Sequence, residues 1–241
     1  MDLRVQRIRH ETKRRDLVVS RTEYLSPNVR SVTFQSDSLS DFVSASFDDH
    51  IKLFLDNDVH EAVRRDYTPR HLNPAAREIT IEFSLHGDGP AATWAAQASA
   101  GQRVSIGGPR GSFVIPSEFD WHLLAGDETA LPAIARRLEE LPIGKRVIVL
   151  LHVADVEDRR ELQTVADVNV QWFSLAEELI DAVRLVDLPK GEGYAWCAGE
   201  AHEMSKLRSV LVHERGLNPR SIRAAAYWKR GVASHHENLE G

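Results

Sequence analysis

The apolar pattern of this chain changes period at one place, around Ile115-Pro116-Ser117-Glu118-Phe119-Asp120, and that change limits the folds open to it. Before it, short runs with β-branched or alternating apolar positions predict strands at Asp16–Ser20, Val29–Phe34, Ile51–Leu55, Glu78–Leu85 and Gln102–Ile106. Turn formers separate them at Ser26-Pro27-Asn28, Asp56-Asn57-Asp58, His86–Pro90 and Gly107-Gly108-Pro109. Strands at this spacing predict a small antiparallel barrel. One helix is expected inside it over Ala91–Ser99, which is rich in Ala and has Pro90 for its first turn. After the change, near-continuous apolar runs alternate with amphipathic stretches: Trp121–Ala125 then Leu131–Leu141, Arg146–Val153 then a polar loop, Val168–Phe173 then Ala176–Val186. Tyr194–Ala198, a helix Glu200–Arg215 closed by Gly216, and Ser221–Trp228 complete the series. That alternation predicts a parallel sheet covered by helices. The expected architecture is β plus α/β, with domains at 1–117 and 118–241.

Composition narrows the function classes. At 42% hydrophobic and 27% charged residues, with a mean hydropathy of −0.33, the chain reads as a soluble globular protein. No stretch reaches the apolar length of a membrane span, and Met1–Asp16 is too charged for a signal peptide. A cytoplasmic monomer is the expectation. The single cysteine, Cys197, excludes an internal disulfide and lies in an apolar run that predicts a buried strand. Eleven histidines lack metal-ligand spacing: neither His202-Glu203 nor His213-Glu214 continues to a second His four residues on. His235-His236 falls in a polar tail, read as solvated. A net charge of −6 argues against a nucleic-acid partner, and the basic cluster Arg4–Arg15 is read as a solvated first segment.

Two segments carry chemistry. Arg65-Asp66-Tyr67-Thr68-Pro69-Arg70 places two guanidinium groups, an aromatic ring and a hydroxyl within six residues. In a strand, Arg65 and Tyr67 share one face, Asp66 and Thr68 the other. A ring beside fixed cations suits a flavin dinucleotide, the aromatic surface for its ring system and the Arg forks for its phosphates. Gly87-Asp88-Gly89-Pro90-Ala91-Ala92-Thr93-Trp94 then offers small residues and backbone N–H groups at a helix start, where an anion is well placed. An exposed strand would account for the first segment alone; its pairing with the second favours a cofactor cradle.

With Asp49-His50-Ile51-Lys52-Leu53, Gly107–Phe113, Ala125–Ile134, Trp196–Glu200 and Tyr227–Gly231, these segments resemble one family over roughly Arg14–Gly231. It is the siderophore-interacting proteins, flavin-dependent ferric-siderophore reductases of the ferredoxin reductase superfamily. The resemblance implies a six-stranded FAD-binding barrel and an NAD(P)H-binding α/β domain. It implies FAD contacts at Arg65, Tyr67, Thr68, His86, Gly89, Pro90, Ala91, Ala92, Thr93 and Trp94. The family commonly has Ser where Ala92 stands, which implies weaker FAD retention here.

For the nicotinamide nucleotide, NADPH or NADH, the matching positions are Gly126, Asp127, Glu128, Thr129, Ala130, Gly199 and Glu200. A Gly-x-Gly-x-x-Gly fingerprint is absent. Asp127 and Glu128 are expected to cap a helix, where they would compete with an anionic ligand. Arg159, Arg160 and Lys190 are cations that could read a 2′-phosphate, without a spacing that selects them; ferredoxin is the alternative donor. Family positions for the ferric siderophore correspond to Lys52, Arg110 and Arg230, with Trp228 and Lys229 as further candidates. Electrons then pass from NAD(P)H through FAD to siderophore-bound Fe(III), with no acid, base, nucleophile or protein-bound metal required. Two other readings stay open: a general NAD(P)H-dependent flavin reductase of diaphorase type, and a non-enzymatic flavoprotein that binds an iron chelate.

Overall fold

Two units make up the chain in a computed structural model, Gln6–Ile115 and Met1–Val5 with Pro116–Gly241. The structure describes residues 4–57, 60–85, 89–232 and 237–239. The first unit carries β1 (Gln6–Arg9), β2 (Arg14–Ser26), β3 (Val29–Gln35), β4 (Ile51–Asn57), β5 (His60–Tyr67), β6 (His71–Asn73), β7 (Glu78–Ser84), α1 (Pro90–Gln97), β8 (Arg103–Gly107) and β9 (Gly111–Val114). Seven of its strands form one antiparallel sheet in the order β5-β4-β8-β2-β3-β7-β6, while β1 pairs with β9. Six of the seven are five or more residues long, and β6 adds three residues at one edge.

The chain itself explains why this sheet curls. β5 and β6 are its opposite edges, yet only Thr68, Pro69 and Arg70 separate them in sequence. Laid flat, seven strands would put those edges about 29 Å apart. Three linking residues reach at most about 14 Å. The sheet therefore wraps until its edges nearly meet, and Thr68-Pro69-Arg70 bridges the seam. Arg70 N–H donates to Thr80 O of β7 at 2.9 Å, which extends the β6–β7 pairing into this link. Alternate residues fill the interior: Leu17 and Val19, Val32 and Phe34, Ile51, Leu53 and Leu55, Ile79, Ile81 and Phe83, with Ala95 from α1. Each of these Val, Leu, Ile and Phe side chains contributes roughly 1.5–3 kcal/mol on burial. The basic first segment is partly a strand: β1 is hydrogen-bonded to β9, although its side chains are exposed.

The second unit carries β10 (Trp121–Gly126), α2 (Leu131–Glu140), β11 (Arg146–His152), β12 (Asp167–Phe173), α3 (Ala176–Leu185), β13 (Gly193–Glu200), α4 (Ala201–Ser209), β14 (Ile222–Trp228) and β15 (Glu237–Asn238). Their order is β12-β11-β10-β13-β14-β15, parallel except for β15. Trp121, Leu123 and Ala125 share a core with Leu179, Ile180 and Val183 of α3 and Met204 and Leu207 of α4. Cys197 is completely buried in that core, and burial pushes its thiol pKa up. Past α4 the chain makes a wider turn over Val210–Glu214, and Gly216 takes the left-handed conformation at φ 68°.

One expectation fails at β12. Asp167, Asn169 and Gln171 are exposed, so this strand is half-solvated rather than covered on both faces. The link from β11 contains a single 3-10 turn, Val156–Asp158, instead of a helix to lie on that face.

Candidate functional site

α1 packs against β5 as well as β3 and β7, and Phe83 joins Tyr67 at the end of β5 to Trp94 of α1. A ladder of rings runs through the contact: Tyr67 on Phe83 at 4.5 Å, Phe83 on Trp94 at 5.7 Å, and Trp94 stacked with Phe34 at 6.1 Å. Trp94 thus packs against the barrel core. Tyr67 is half-buried, and desolvation, opposed by the nearby Arg65 charge, raises its phenol pKa so that it stays neutral. Thr68 is buried at the seam. Arg65 is half-buried and Nη1 donates to Arg64 O at 2.8 Å.

At the start of α1, Gly89 is exposed in extended backbone and supplies no capping side chain. A Cβ built on Gly89 would meet none of the described residues within 4 Å. Pro90 has no N–H, Thr93 N–H goes to Gly89 O at 2.9 Å, and Ala91 is buried beneath the turn with Ala92 half-exposed. Among the described residues no side chain caps this first turn, at the positive end of the helix. Arg30 fixes the other end and carries no signal in the sequence: its guanidinium donates to Ala95 O at 2.9 Å, Ala96 O, Ala98 O at 2.8 Å and Thr22 Oγ1 at 2.9 Å. An anion-ready turn, a fixed guanidinium and an aromatic ring fit the phosphates and ring system of FAD. His86 lies outside the described residues.

In the α/β unit, β10 feeds β11 and β12 to one side, and the chain then returns to place β13 and β14 on the other. That reversal makes the carboxyl ends of β10 and β13 the place where an open α/β sheet receives a ligand. Gly126-Asp127 and Gly199-Glu200 stand there. The N-cap of α2, Ala130, has no capping side chain, and the first turn that follows, Leu131, Pro132 and Ala133, is buried.

Asp127 differs from its expected role as a helix cap. It is buried and braces three strand ends: Oδ1 accepts from Thr129 N–H at 2.9 Å and Thr129 Oγ1 at 2.5 Å, and Oδ2 from Glu200 N–H at 2.9 Å and Trp228 Nε1 at 2.8 Å. Burial raises its pKa against those donors. Turned inward, its carboxylate does not compete for an anion as expected. Gly126 and Gly199 serve this packing: a Cβ at Gly126 would lie 2.2 Å from Ala198 O, and one at Gly199 2.6 Å from Asp127 Oδ2. Glu200 caps α4, accepting from His202 N–H at 2.6 Å and Glu203 N–H at 3.1 Å, and holds Arg230 N–H at 3.2 Å. Glu128 is half-buried.

Glu203 was not predicted as a site residue, nor was His152 at the end of β11. Burial raises the Glu203 pKa, as do the charges of Asp127 and Glu200, while His152 and Arg230 lower it. Only the fold brings these groups into one electrostatic neighbourhood. Arg159 donates to Ser174 Oγ at 3.0 Å, just beyond β12, and Lys190 is exposed.

The siderophore candidates are distributed over both units. Lys52 Nζ donates to Asp66 Oδ1 at 2.8 Å and Oδ2 at 3.0 Å, while Arg110 is exposed. Trp228 is half-buried on Asp127; Lys229 and Arg230 are exposed in a tight turn bridged from Lys229 to Val232. Asp49, Ser112 and His10 form one Ser-His-Asp group, but Asp49 accepts from the hydroxyl at 2.7 Å, not from the imidazole, so the triad order is not met. No helix among the described residues is long and apolar enough to cross a membrane.

Residues 119–231 match the siderophore-interacting protein family, and residues 18–64 and 57–113 the siderophore-interacting FAD-binding domain. The NADPH-dependent ferric-chelate reductase of Escherichia coli is 32% identical over 92% of this chain and 96% of its own length. The ferric vibriobactin reductase ViuB of Vibrio cholerae is 30% identical over 90% of each chain. A siderophore utilization protein from T. fusca superposes with a TM-score of 0.89 at 32% identity, over 96% of this chain and 98% of that one.

Proposed function

Because the chain belongs to the siderophore-interacting protein family, we propose that it is an FAD-dependent ferric-siderophore reductase that passes electrons from NAD(P)H to chelated Fe(III). The observation that supports this reading is the packing of α1 on β5, the strand whose end carries Arg65 and Tyr67 and leads into Thr68. Arg65 and the N–H groups of Ala91 and Ala92 hold the FAD phosphates, with Gly89 and Pro90 shaping the turn and Thr93 at its edge. Tyr67, kept neutral, supports the flavin ring, and Thr68 offers its hydroxyl. Bound FAD supplies the conversion of a two-electron donor into one-electron reduction.

The nicotinamide nucleotide is assigned to the carboxyl ends of β10 and β13, over Gly126–Ala130 and Gly199-Glu200, with NADPH as donor after the E. coli relative. Lys52, Arg110, Lys229, Arg230 and Trp228 are assigned to the ferric chelate. Fe(III) prefers the hard, anionic oxygens of siderophores more strongly than Fe(II) does, so reduction loosens the metal. We place the activity in the cytoplasm, in a monomer, with residues 1–117 and 118–241 as working domains.

The test is an absorption spectrum after incubation with FAD, followed by anaerobic NADPH and then a ferric siderophore with an Fe(II) trap. Flavin bands, their bleaching and the trap's colour should appear in turn. Protein that stays colourless with excess FAD refutes the reading. Dye reduction without trap colour assigns a general flavin reductase, and binding without turnover a carrier.

A further inference from the structure

Lys52 and Asp66 are direct cross-strand partners in the β4–β5 register. They stand on the face of the sheet opposite Ile51, Leu53 and Tyr67. Both carboxylate oxygens of Asp66 accept from Lys52 Nζ, with the side chains 40% and 21% exposed. An ammonium has three N–H donors, so Asp66 takes two and leaves one. Two cations, Arg14 and Arg64, lie over the Phe54 ring at 4.6 and 5.7 Å from its centroid. Residue 66 falls directly before Tyr67, at the strand end assigned to the flavin ring.

Resting on the ferric-chelate reading of Lys52, we infer that Asp66 sets how much negative charge a chelate can bring to this site. With Asp66 ionised, the pair presents one donor and almost no net charge, so a chelate gains a hydrogen bond but little long-range attraction. Should Lys52 turn fully toward an anionic chelate, Asp66 is left unpaired a few ångströms away, and its repulsion grows with each negative charge on the complex. The pair is half-buried but reaches solvent on this face, so water screens it and lets it open, and it acts as a filter, not a block. Chelates of low net charge, such as neutral tris-hydroxamates, are the favoured class over trianionic tris-catecholates.

The experiment uses FAD-loaded protein and two synthetic hexadentate ferric chelates, a trianionic tris-catecholamide and a neutral tris-hydroxamate. Dissociation constants come from fluorescence quenching at low and high salt. Asp66→Asn should tighten binding of the trianion about tenfold at low salt, shrink that gain at high salt, and leave the neutral chelate within twofold. Asp66→Ser, which removes the same charge with a different side chain, should reproduce the pattern, and adding Lys52→Met should cancel it. Equal shifts for both chelates, or none for either, overturn the inference while leaving the reductase reading intact. If FAD-loaded wild type binds neither chelate, the reductase reading itself fails.

Discussion

His122 should make this protein acid-labile by an amount that can be worked out in advance. The residue sits in β10, 1% exposed, with its Nε2 lacking a hydrogen-bond partner among the described residues. Desolvation, with Arg137 and then Lys145 adding like charge, lowers its pKa from 6.5 to about 3, against a hydrogen bond with the Ser117 backbone. The unfolded chain takes up this proton near pH 6.5, and the folded chain does not until near pH 3. Stability therefore falls as pH drops through that window and levels off below it. From pH 7 to 4.5 the loss from this one group is about 2.5 kcal/mol, approaching the limit of about 1.4 kcal/mol per pH unit. Urea unfolding at several pH values would measure it, comparing wild type with His122→Leu and His122→Asn. Both variants should show a shallower acid slope by that amount, whatever their stability at pH 7. Parallel wild-type and variant curves would refute the argument, since they would mean that the folded state admits the proton.

Other consequences follow from single contacts. Gly89→Ala has room for its Cβ among the described residues, but Ala is a poorer helix N-cap than Gly, so stability should fall by no more than about 1 kcal/mol; FAD affinity, read by flavin fluorescence, should fall about tenfold if phosphates approach that turn. Trp228→Phe removes a donor from buried Asp127 and should cost about 1–3 kcal/mol by urea titration, with carboxylate protonation at Asp127 shifted further upward. Arg30→Ala should fray α1 from its C-terminus, seen as faster amide exchange at Ala95–Ala98, and weaken FAD binding without altering any proposed cofactor contact.

The sequence by itself determined the two-part architecture, because apolar spacing reports strands and helices locally: α2, β11, α3 and β14 start and end within a residue or two of their expected limits. It also marked Arg65–Thr68 and Gly89–Thr93, whose residue types announce a ring, cations and an open helix start. It did not disclose the pairings made by residues far apart in the chain. β1, β6, β9 and β15 are two to four residues long, too short to show a period, and form only because a partner strand is present. Arg30 reads as one more surface cation until α1 is docked 65 residues away. Asp127, expected at a helix start, becomes a buried brace because β13 and β14 deliver Glu200 and Trp228 to it. Lys52 reads as a cation open to an anion, and tertiary pairing with Asp66 removes most of its net charge. Local periodicity fixes elements; the partner of each polar group depends on register and topology, which only the folded sheet sets.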